Sequence, residues 1–507
     1  MIKSVLDYLD NTAARFPNKV GYTDENTSLT FEELRTKSSL IGAALTEYSL
    51  VRKPVAVYMK KRVEQIVAFL AARHAGAFYV PLDIDSPFDR IDRILSGCGA
   101  EIILTCADET VTEEISSSYR VLCIEDLEKR GGEKEDADKV LTDLRRWQID
   151  TDPIYAIFTS GSTGMPKGVL ISERSAINFT EWWCETFEFT DEEIFANQTP
   201  FYFDASVKDI YATLRCGATM HIVPQKLFSL PVKLVEFLNE TKTNCIDWVP
   251  SVLTMIVNFK TFDKVKPQYL KKIMFLGEVM PTKQFNQWRK ALPEIAYANI
   301  YGPTEATGDC TYYKVNREFS DDEPIPIGNA CENTEVFLLS EENEIITDDR
   351  MGEICVRGCS LALGYYNDPE KTAQAFTQHP LHSHYPERIY HTGDLGKYNQ
   401  YGEIVYISRK DAQIKHMGHR IELGEIEVAL SAVEGVGRAV CVYHKIANRI
   451  VAFYEGNITD KEIISVLRDK LPRYMLPNRF CQLDKLPVNA NGKIDRVKLT
   501  QSLEETK

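Results

Sequence analysis

The chain has 507 residues, of which 44% are hydrophobic and 26% charged, so we expect a globular protein with two or more hydrophobic cores. Its 59 basic and 74 acidic side chains give a formal net charge of -15, which argues against a broad DNA, RNA or anionic membrane surface. No apolar run has the length of a signal peptide or of a bilayer-spanning helix, so we predict a cytoplasmic location.

The first part of the chain alternates amphipathic helical stretches with short apolar runs. An example is residues 62–83, RVEQIVAFLAARHAGAFYVPLD, which are followed by the apolar run AEIILT at 100–105. This alternation predicts helices packed on a largely parallel sheet. Residues 125–148 are rich in charged side chains, and we interpret them as a solvated connector or an exposed helix.

The pattern changes after Gly402. A β-like stretch, EIVYISRKDAQIKHMG, precedes the helical RIELGEIEVALSAVEGV, and a strand-rich and then helical segment ends near Leu499. This order fits a small α+β domain of roughly a hundred residues. The domain boundary is predicted close to Asp411.

The cysteines and clustered histidines do not form a metal-binding pattern in the sequence. The closest cysteines, Cys355 and Cys359, are not part of a known spacing of metal ligands in the sequence. We therefore expect the cysteines to be reduced and to pack against their neighbours. His379, His382 and His384 lie in a polar stretch that contains proline, which predicts a surface loop.

The densest chemical signal is YAIFTSGSTGMPKGVLIS at 155–172. Glycine and small hydroxylated residues let backbone N–H groups approach phosphate oxygens, and Lys167 can neutralise their charge. The Walker A pattern does not fit, because Pro166 and Gly168 flank this lysine. A flexible linker is the alternative for such a composition.

Nine further segments accompany this loop in a fixed order. They are LTFEEL (29–34), AGAFYVPLD (75–83), FDASVKD (203–209), YGPTE (301–305), GEICVRGCSLALGYYN (352–367), YHTGDLG (390–396), RKDAQIKHMGHRIELGEIE (409–427), LPRYMLP (471–477) and NGKIDR (491–496). Together the ten segments resemble the adenylate-forming superfamily over nearly the entire chain. Within it they are most similar to amino-acid adenylation domains of nonribosomal peptide synthetases and to stand-alone D-alanine–D-alanyl carrier protein ligases.

The resemblance implies an α/β fold with layered, largely parallel sheets in a large AMP-binding domain at 1–408. It also implies a hinge at 409–411, centred on Asp411, and a small mobile α+β domain at 412–507. The implied reaction uses ATP and Mg²⁺ to adenylate a small amino acid, such as D-alanine, with release of pyrophosphate. The aminoacyl group then passes to the phosphopantetheine thiol of a carrier protein, which we expect to be separate because no Leu-Gly-Gly-x-Ser attachment motif occurs in the chain.

The same resemblance assigns roles to individual residues. Lys493 is the expected catalytic lysine and Glu305 the expected Mg²⁺ ligand, because attack of a carboxylate on a phosphate needs positioned cations. Asp394 and Arg409 are expected at the ribose, and Ser408 replaces the glycine that is usual before this arginine. The implied ATP-binding residues are Thr159, Ser160, Gly161, Ser162, Thr163, Lys167, Asn299, Ile300, Tyr301, Gly302, Pro303, Thr304, Asp394, Tyr406, Arg409 and Lys493.

The implied amino-acid pocket centres on Asp204, whose carboxylate would bind the substrate ammonium; a helix cap is the alternative role. The remaining pocket positions are Ala205, Lys208, Trp248, Met274, Leu276, Ile300, Gly308 and Asp309. Bulky Trp248 and Leu276 predict a short cavity. Lys208 and Asp309 are expected either to pair with each other or to recognise a polar substrate group.

Two other functions are compatible with the general composition. An acid–CoA ligase would share the first half-reaction, but such enzymes for fatty or aryl acids generally lack an aspartate at the position of Asp204. A catalytically inactive interaction domain would be free to lose Lys167, Glu305, Asp394 and Lys493, all of which are present here.

Overall fold

The computed structural model describes residues 2–161, 165–411, 413–444, 447–487 and 494–505. They form a mixed α/β protein with a large N-terminal part and a small C-terminal part, which confirms the predicted fold class. The α-helices are α1 Val5–Arg15, α2 Phe31–Leu45, α3 Val63–His74, α4 Phe88–Cys98, α5 Glu113–Ser118, α6 Ile124–Gly132, α7 Ala137–Trp147, α8 Glu173–Thr186, α9 Ser206–Cys216, α10 Pro231–Glu240, α11 Pro250–Asn258, α12 Thr282–Ala291, α13 Pro369–Ala375, α14 Leu423–Ser431, α15 Asp460–Arg468 and α16 Arg496–Glu505.

The strands follow the same chain order. They are β1 Val20–Thr23, β2 Ser28–Thr30, β3 Pro54–Val57, β4 Phe78–Pro81, β5 Ile102–Thr105, β6 Arg120–Cys123, β7 Pro153–Thr159, β8 Lys167–Ser172, β9 Ile194–Asn197, β10 Thr219–Ile222, β11 Cys245–Trp248, β12 Lys272–Leu276, β13 Ala296–Tyr301, β14 Thr311–Lys314, β15 Asn329–Ala330, β16 Thr334–Leu339, β17 Ile345–Ile346, β18 Gly352–Gly358, β19 Gly364–Tyr365, β20 Phe376–Gln378, β21 Arg388–Tyr398, β22 Ile404–Arg409, β23 Gln413–His416, β24 His419–Glu422, β25 Val436–His444, β26 Arg449–Gly456 and β27 Arg479–Gln482.

The chain divides into two compact units. The larger unit contains Met1–Leu82, Cys98–Ile157 and Val169–Lys410, and the smaller contains Asp83–Gly97, Phe158–Gly168 and Asp411–Lys507. One division therefore falls between Lys410 and Asp411. The sequence does not predict the other feature, which is that two internal segments group with the C-terminal part.

Two layered sheets with parallel centres form the framework of the larger unit. One has the order β15-β14-β13-β12-β11-β9-β10-β1-β2, with parallel pairing from β13 to β1 and antiparallel edges. The second has the order β19-β8-β7-β4-β3-β5-β6. Helix α3 is buried along almost its whole length, as expected for a helix covered by parallel β-α layers. An antiparallel sheet, β17-β16-β18-β21-β20 with β22 paired to β21, carries later motifs of the chain.

Local sequence signals begin and end several of these helices. Thr30 and Glu33 form a reciprocal capping box at the start of α2, which satisfies backbone donors that the helix leaves unpaired. Gly217 follows the last residue of helix α9, and its φ of +79° suits the left-handed position after a helix. Residues 125–148 form most of the amphipathic helices α6 and α7, in agreement with the exposed-helix interpretation.

The smaller unit has a core of its own. Strands β25, β26 and β27 form one sheet, and β23 and β24 form a hairpin that leads into α14. Ile421, Ile426, Ile450 and Ile463 bring the hairpin, two helices and the larger of these sheets into one apolar cluster. Among the residues that the structure describes, no helix is both long and apolar enough to cross a lipid bilayer.

Candidate functional site

A tight turn follows strand β13 and carries the YGPTE residues. At Gly302 a Cβ atom would lie 2.4 Å from Asp309 Cα, so a side chain cannot fit at this position. The turn continues through Pro303 and the buried Thr304 to Thr307, which has a left-handed φ of +59° and donates its hydroxyl hydrogen to Ser360 O at 2.6 Å. Such a backbone is unfavourable for a β-branched residue, and strained positions of this kind cluster at functional sites.

Three of the predicted nucleotide residues lie together beside this turn. The Tyr301 hydroxyl donates to Asp394 Oδ2 at 2.6 Å, and Arg409 Nη1 lies 2.7 Å from Asp394 Oδ1. The register of β21 and β22 places Asp394 opposite Arg409, which explains how residues from two motifs meet. Burial and the Asp394 charge hold the pKa of Tyr301 well above its ordinary value, so the phenol remains a hydrogen-bond donor.

The other nucleotide positions on these strands have distinct surroundings. Tyr406, on β22, places its ring 6.4 Å from that of Tyr301. Asn299 is buried on β13, and its side-chain amide donates to Pro326 O at 2.8 Å. Its neighbour Ile300 points into the main apolar cluster on the opposite face of the strand.

Glu305 is completely buried within the turn. Tyr365, on β19, donates its hydroxyl hydrogen to Glu305 Oε1 at 2.7 Å, and Ala362 N–H donates to the Glu305 carbonyl at 2.9 Å. The first contact holds one carboxylate oxygen, and the second holds the backbone of the turn. One carboxylate together with substrate phosphates is a common donor set for Mg²⁺, so the Mg²⁺ role that the family resemblance implies for Glu305 stays a prediction compatible with its chemistry.

The phosphate-loop residues that the structure describes belong to the smaller unit. Ser160 donates to Arg420 O at 2.8 Å and accepts from Glu422 N–H at 3.1 Å, so its hydroxyl is bonded to β24. Thr159 is buried, Lys167 is half-buried, and a Cβ at Gly161 would lie 2.1 Å from Met165 O. Ser162, Thr163 and the predicted catalytic Lys493 lie outside the described residues.

A buried cluster of three charged side chains lies among the predicted pocket positions. Lys208 Nζ lies 2.6 Å from Asp247 Oδ2 and 3.2 Å from Asp309 Oδ2. This confirms the predicted pairing of Lys208 with Asp309 and adds Asp247, which sequence reasoning missed. Within the described part of the chain, Asp247 Oδ1 and Asp309 Oδ1 are buried without a hydrogen-bond donor.

Burial controls the ionisation of this cluster, which we call the Lys208 triad. Burial raises the pKa of Asp309 to about 7 and that of Asp247 to about 6, although Lys208 opposes both shifts. Burial would lower the pKa of Lys208, but the two carboxylates raise it above its ordinary value. Lys208 therefore stays charged while the carboxyls titrate near neutral pH.

Strand alternation places Trp248 away from the Lys208 triad. The Trp248 ring lies in the second apolar cluster, 5.7 Å from the ring of Phe228, and its indole N–H donates to Ala196 O at 2.7 Å. Its strand neighbour Asp247 faces Lys208, because successive side chains of a strand point to opposite faces. The structure thus puts Asp247, rather than Trp248, beside Lys208. Met274 and Leu276 lie on the same side as Asp247.

Asp204 lies between the turn and helix α9. Its Oδ1 accepts the Ala205 N–H at 2.8 Å, and the Cβ position of Gly308 lies 3.9 Å from Asp204 Oδ2. Gly308 has a φ of +91°, and the missing side chain leaves space beside the carboxylate. Helix α9 begins at Ser206, and the structure records no side-chain cap at its start, so the helix-cap alternative for Asp204 lacks support.

Comparison with known proteins gives a consistent family. The AMP-binding enzyme family matches residues 9–366, and the AMP-binding enzyme C-terminal domain matches residues 425–493. The D-alanine–D-alanyl carrier protein ligase of Bacillus velezensis is 31% identical over 98% of this chain and 99% of its own length. Tyrocidine synthase 1 of Brevibacillus parabrevis is also 31% identical over 98% of this chain, which spans only 45% of that protein.

A solved structure shares the fold. The Vibrio cholerae adenylation domain AlmE, in complex with glycyl-adenosine-5'-phosphate, superposes with a TM-score of 0.85 at 21% identity. The match covers 100% of this chain and 98% of that one.

Proposed function

Because the chain belongs to the AMP-binding enzyme family, we propose that it is an AMP-forming ligase that adenylates a small amino acid. The candidates are alanine of either hand and a compact polar residue; the ligase of Bacillus velezensis is named for D-alanine. The activated amino acid would then pass to the phosphopantetheine thiol of a separate carrier protein. We place this reaction in the cytoplasm, where ATP is supplied.

The observation that carries the proposal is the turn after β13, which connects the predicted Mg²⁺ ligand with the predicted ligand of the substrate ammonium. Glu305 is suited to Mg²⁺, and Gly308, three residues later, adjoins Asp204. A substrate ammonium on Asp204 would therefore bring the amino acid close to the metal-binding carboxylate. The Tyr301–Asp394–Arg409 group at the start of the same turn offers a carboxylate for the ribose diol.

The chemistry requires control of negative charge. In the first half-reaction an oxygen of the substrate carboxylate bonds to the α-phosphorus of ATP, and the bond from that phosphorus to the pyrophosphate oxygen breaks. Mg²⁺ held by Glu305 would neutralise phosphate charge. Lys493 is proposed to contact the substrate carboxylate and the α-phosphate oxygen. In the second half-reaction the carrier thiolate attacks the carbonyl carbon and AMP leaves.

The Lys208 triad favours a compact polar side chain on the substrate. Asp247 Oδ1 and Asp309 Oδ1 have no donor among the described residues, and an unpaired buried acceptor costs about 1–3 kcal/mol. A serine-sized hydroxyl could donate to such an oxygen, whereas the methyl group of alanine could not. The bulk of Leu276 is consistent with a short pocket.

ATP–pyrophosphate exchange with alanine of each hand, serine, glycine, aspartate, glutamate, phenylalanine and benzoate tests the substrate class. Best exchange with alanine or serine supports the proposal, and best exchange with benzoate removes the amino-acid assignment. Best exchange with aspartate or glutamate would identify Lys208 as the partner of a side-chain carboxylate. Transfer to coenzyme A, with none to a phosphopantetheinylated carrier, would instead favour the acid–CoA ligase.

Replacement of Lys493 by alanine tests the catalytic assignment. We expect pyrophosphate exchange to fall by about a hundredfold or more, because a cation positioned for the transition state is lost. ATP binding, measured by calorimetry, should remain. The exposed Lys485→Ala variant is the matched control, and equal exchange by the Lys493 and Lys485 variants would contradict the assignment.

A further inference from the structure

Strands β18 and β21 bring three potential metal ligands together outside the site described above. Glu353 and Cys355 lie on β18, and His391 lies on β21. His391 Nδ1 is 3.0 Å from Glu353 Oε2 and 3.6 Å from Cys355 Sγ. One donor atom from each residue lies within 4.8 Å of the others. Antiparallel pairing of Cys355 with His391 explains the meeting of residues that are far apart in sequence.

The separations match those of ligands around one zinc ion. Zinc lies about 2.3 Å from a thiolate sulfur and about 2.0 Å from an imidazole nitrogen, which puts these atoms about 3.5 Å apart in tetrahedral geometry. The observed distance from Cys355 Sγ to His391 Nδ1 is 3.6 Å. A donor set of thiolate, imidazole and carboxylate binds Zn²⁺ in preference to Mg²⁺ or Ca²⁺, which take oxygen ligands.

The outer contacts orient each ligand for coordination. His391 Nε2 lies 3.0 Å from Thr377 Oγ1, so the ring can carry its proton on Nε2 and present the Nδ1 lone pair to a metal. Glu353 Oε1 accepts the Gly393 N–H at 2.9 Å, which leaves Oε2 directed towards His391. Hydrogen bonds from the outer side are typical of the ligands in protein zinc sites.

A second group of potential metal ligands, His379, His382 and Glu387, lacks this arrangement. His379 Nδ1 accepts the Leu381 N–H at 3.2 Å, which assigns the imidazole proton to Nε2 and leaves no lone pair there. No thiol belongs to this group of ligand atoms in the described residues.

We propose that Glu353, Cys355 and His391 bind one Zn²⁺, with water as the fourth ligand. Coordination would release the Cys355 thiol proton to solvent and form a zinc–thiolate bond. Glu353 also lies 3.2 Å from Lys410 Nζ, and the Lys410 side chain is 39% exposed. The metal would take the place of this ammonium on Glu353 Oε2, and the partly exposed lysine can turn towards solvent.

Cobalt binding tests the site directly, because Co²⁺ substitutes for Zn²⁺ and shows thiolate coordination as a charge-transfer absorption band. The full-length protein should be purified without a histidine tag, stripped with a chelator and titrated with Co²⁺ and then Zn²⁺. We expect one Co²⁺ per chain, a thiolate band and its loss on addition of Zn²⁺. Absence of a thiolate band in the wild-type protein overturns the proposal.

Variants assign the ligands. Cys355→Ser should lose the thiolate band, whereas Cys359→Ser, at an exposed cysteine of the same segment, should retain it. If Cys355→Ser fails to fold, as judged by circular dichroism, Glu353→Gln and His391→Gln replace it and should weaken Zn²⁺ binding at least tenfold. A band that persists in Cys355→Ser but disappears in Cys359→Ser would overturn the assignment.

Lys410→Met distinguishes zinc coordination by Glu353 from a purely structural role of the three residues. Removing the competing ammonium should tighten Zn²⁺ binding about threefold to fivefold, the effect expected for one partly exposed ion pair. His382→Ala, in the other histidine cluster, should leave the affinity unchanged. Weaker binding by Lys410→Met, or loss of binding by His382→Ala, would contradict the proposed site.

Discussion

The Lys208 triad places two carboxylates and one ammonium where water is excluded. Lys208 and Asp309 are each 1% exposed, so neither charge can be screened by solvent. A buried pair can gain little net free energy, because desolvation offsets the attraction between its charges, but removal of one partner destabilises a protein by about 3–5 kcal/mol. We therefore interpret the triad as a determinant of pocket polarity and not as a source of stability.

Titration of Asp309 should make stability depend on pH. Its pKa is raised by burial from 3.8 to about 7, so between these values the folded state retains a proton that the unfolded chain has lost. The stabilisation is complete below the lower value and is lost as pH rises through the higher one. Between pH 4.5 and 7.5, the free energy of unfolding of the wild-type protein should fall relative to Asp309→Asn, by at most about 1.4 kcal/mol per pH unit.

Urea denaturation followed by tryptophan fluorescence measures this difference. All five tryptophans belong to segments of the larger unit, so the signal reports on the unit that contains Asp309. Asp191→Asn, at a half-exposed carboxylate, is the control and should follow the wild-type curve. Parallel curves for the wild-type protein and Asp309→Asn would refute the titration of Asp309.

Asp204 should affect the binding of the amino acid and not the binding of the nucleotide. In Asp204→Asn, a bound ammonium would lose its counter-charge, and we expect the KM for the amino acid to rise about tenfold or more. The KM for ATP should change little, because the Tyr301–Asp394–Arg409 group is intact. Pyrophosphate exchange at varied amino acid and varied ATP gives both constants. An equal rise in the two would indicate a general distortion instead of a lost ammonium contact.

At the scale of elements, the sequence predicts the helices and strands better than their faces. Residues 62–83 contain α3 and β4, as the helical and apolar patterns suggest, and 100–105 contain β5. The sequence CIDW of β11 is buried on both faces, so alternation of polarity cannot show which side meets the pocket. Asp247 was missed for this reason: its partner Lys208 comes from α9, and only tertiary packing brings the two together.

Lys61 should position the segment that leads to Asp204. Its Nζ donates to Asn197 O at 3.0 Å and Gln198 O at 3.1 Å, at the end of β9. Asn197 in turn donates to Asp209 Oδ2 at 2.8 Å, on the helix that also carries Lys208. Since Lys61 touches neither Asp204 nor the nucleotide residues in the described structure, we expect it to act through the backbone.

Lys61→Met should therefore raise the KM for the amino acid about threefold to tenfold, because about two hydrogen bonds donated by Lys61 Nζ are lost. The KM for ATP should remain within about twofold. Lys61→Arg keeps an N–H donor and should recover most of the loss, which a purely steric role would not predict. Lys60→Met, at the exposed neighbouring lysine, is the matched control. No change in the amino-acid KM of Lys61→Met would contradict the positioning role.

At the scale of the whole molecule, the ordered motifs predict the family and the two-part fold. They do not predict that two internal segments belong to the smaller unit. Segments Asp83–Gly97 and Phe158–Gly168 join the smaller unit through contacts such as the Arg90–Glu425 ion pair and the Ser160 bonds to β24. These contacts depend on tertiary structure and have no local sequence signal. Because Ser160 is bonded to the backbone of β24, phosphate binding by its hydroxyl would compete with those bonds.

The last prediction concerns Asp411, the first residue of the C-terminal segment. It lies in the connection between β22 and β23, where the family resemblance predicts a hinge that would absorb a change of backbone angles. Its Oδ1 accepts the Gln413 N–H at 3.1 Å, so the residue also shapes a local turn.

Two substitutions separate these roles, because Asp411→Ala removes the turn contact while Asp411→Pro also fixes φ and restricts Lys410. We expect Asp411→Pro to slow one half-reaction at least about tenfold more than the other, and Asp411→Ala to affect both by less than about threefold. Pyrophosphate exchange measures the first half-reaction, and single-turnover transfer from isolated aminoacyl-adenylate to a phosphopantetheine thiol measures the second. Equal losses in the two assays for Asp411→Pro would reject a hinge at this residue. If Asp411→Ala slowed one half-reaction more than the other to the same extent as Asp411→Pro, the effect would be assigned to the turn contact.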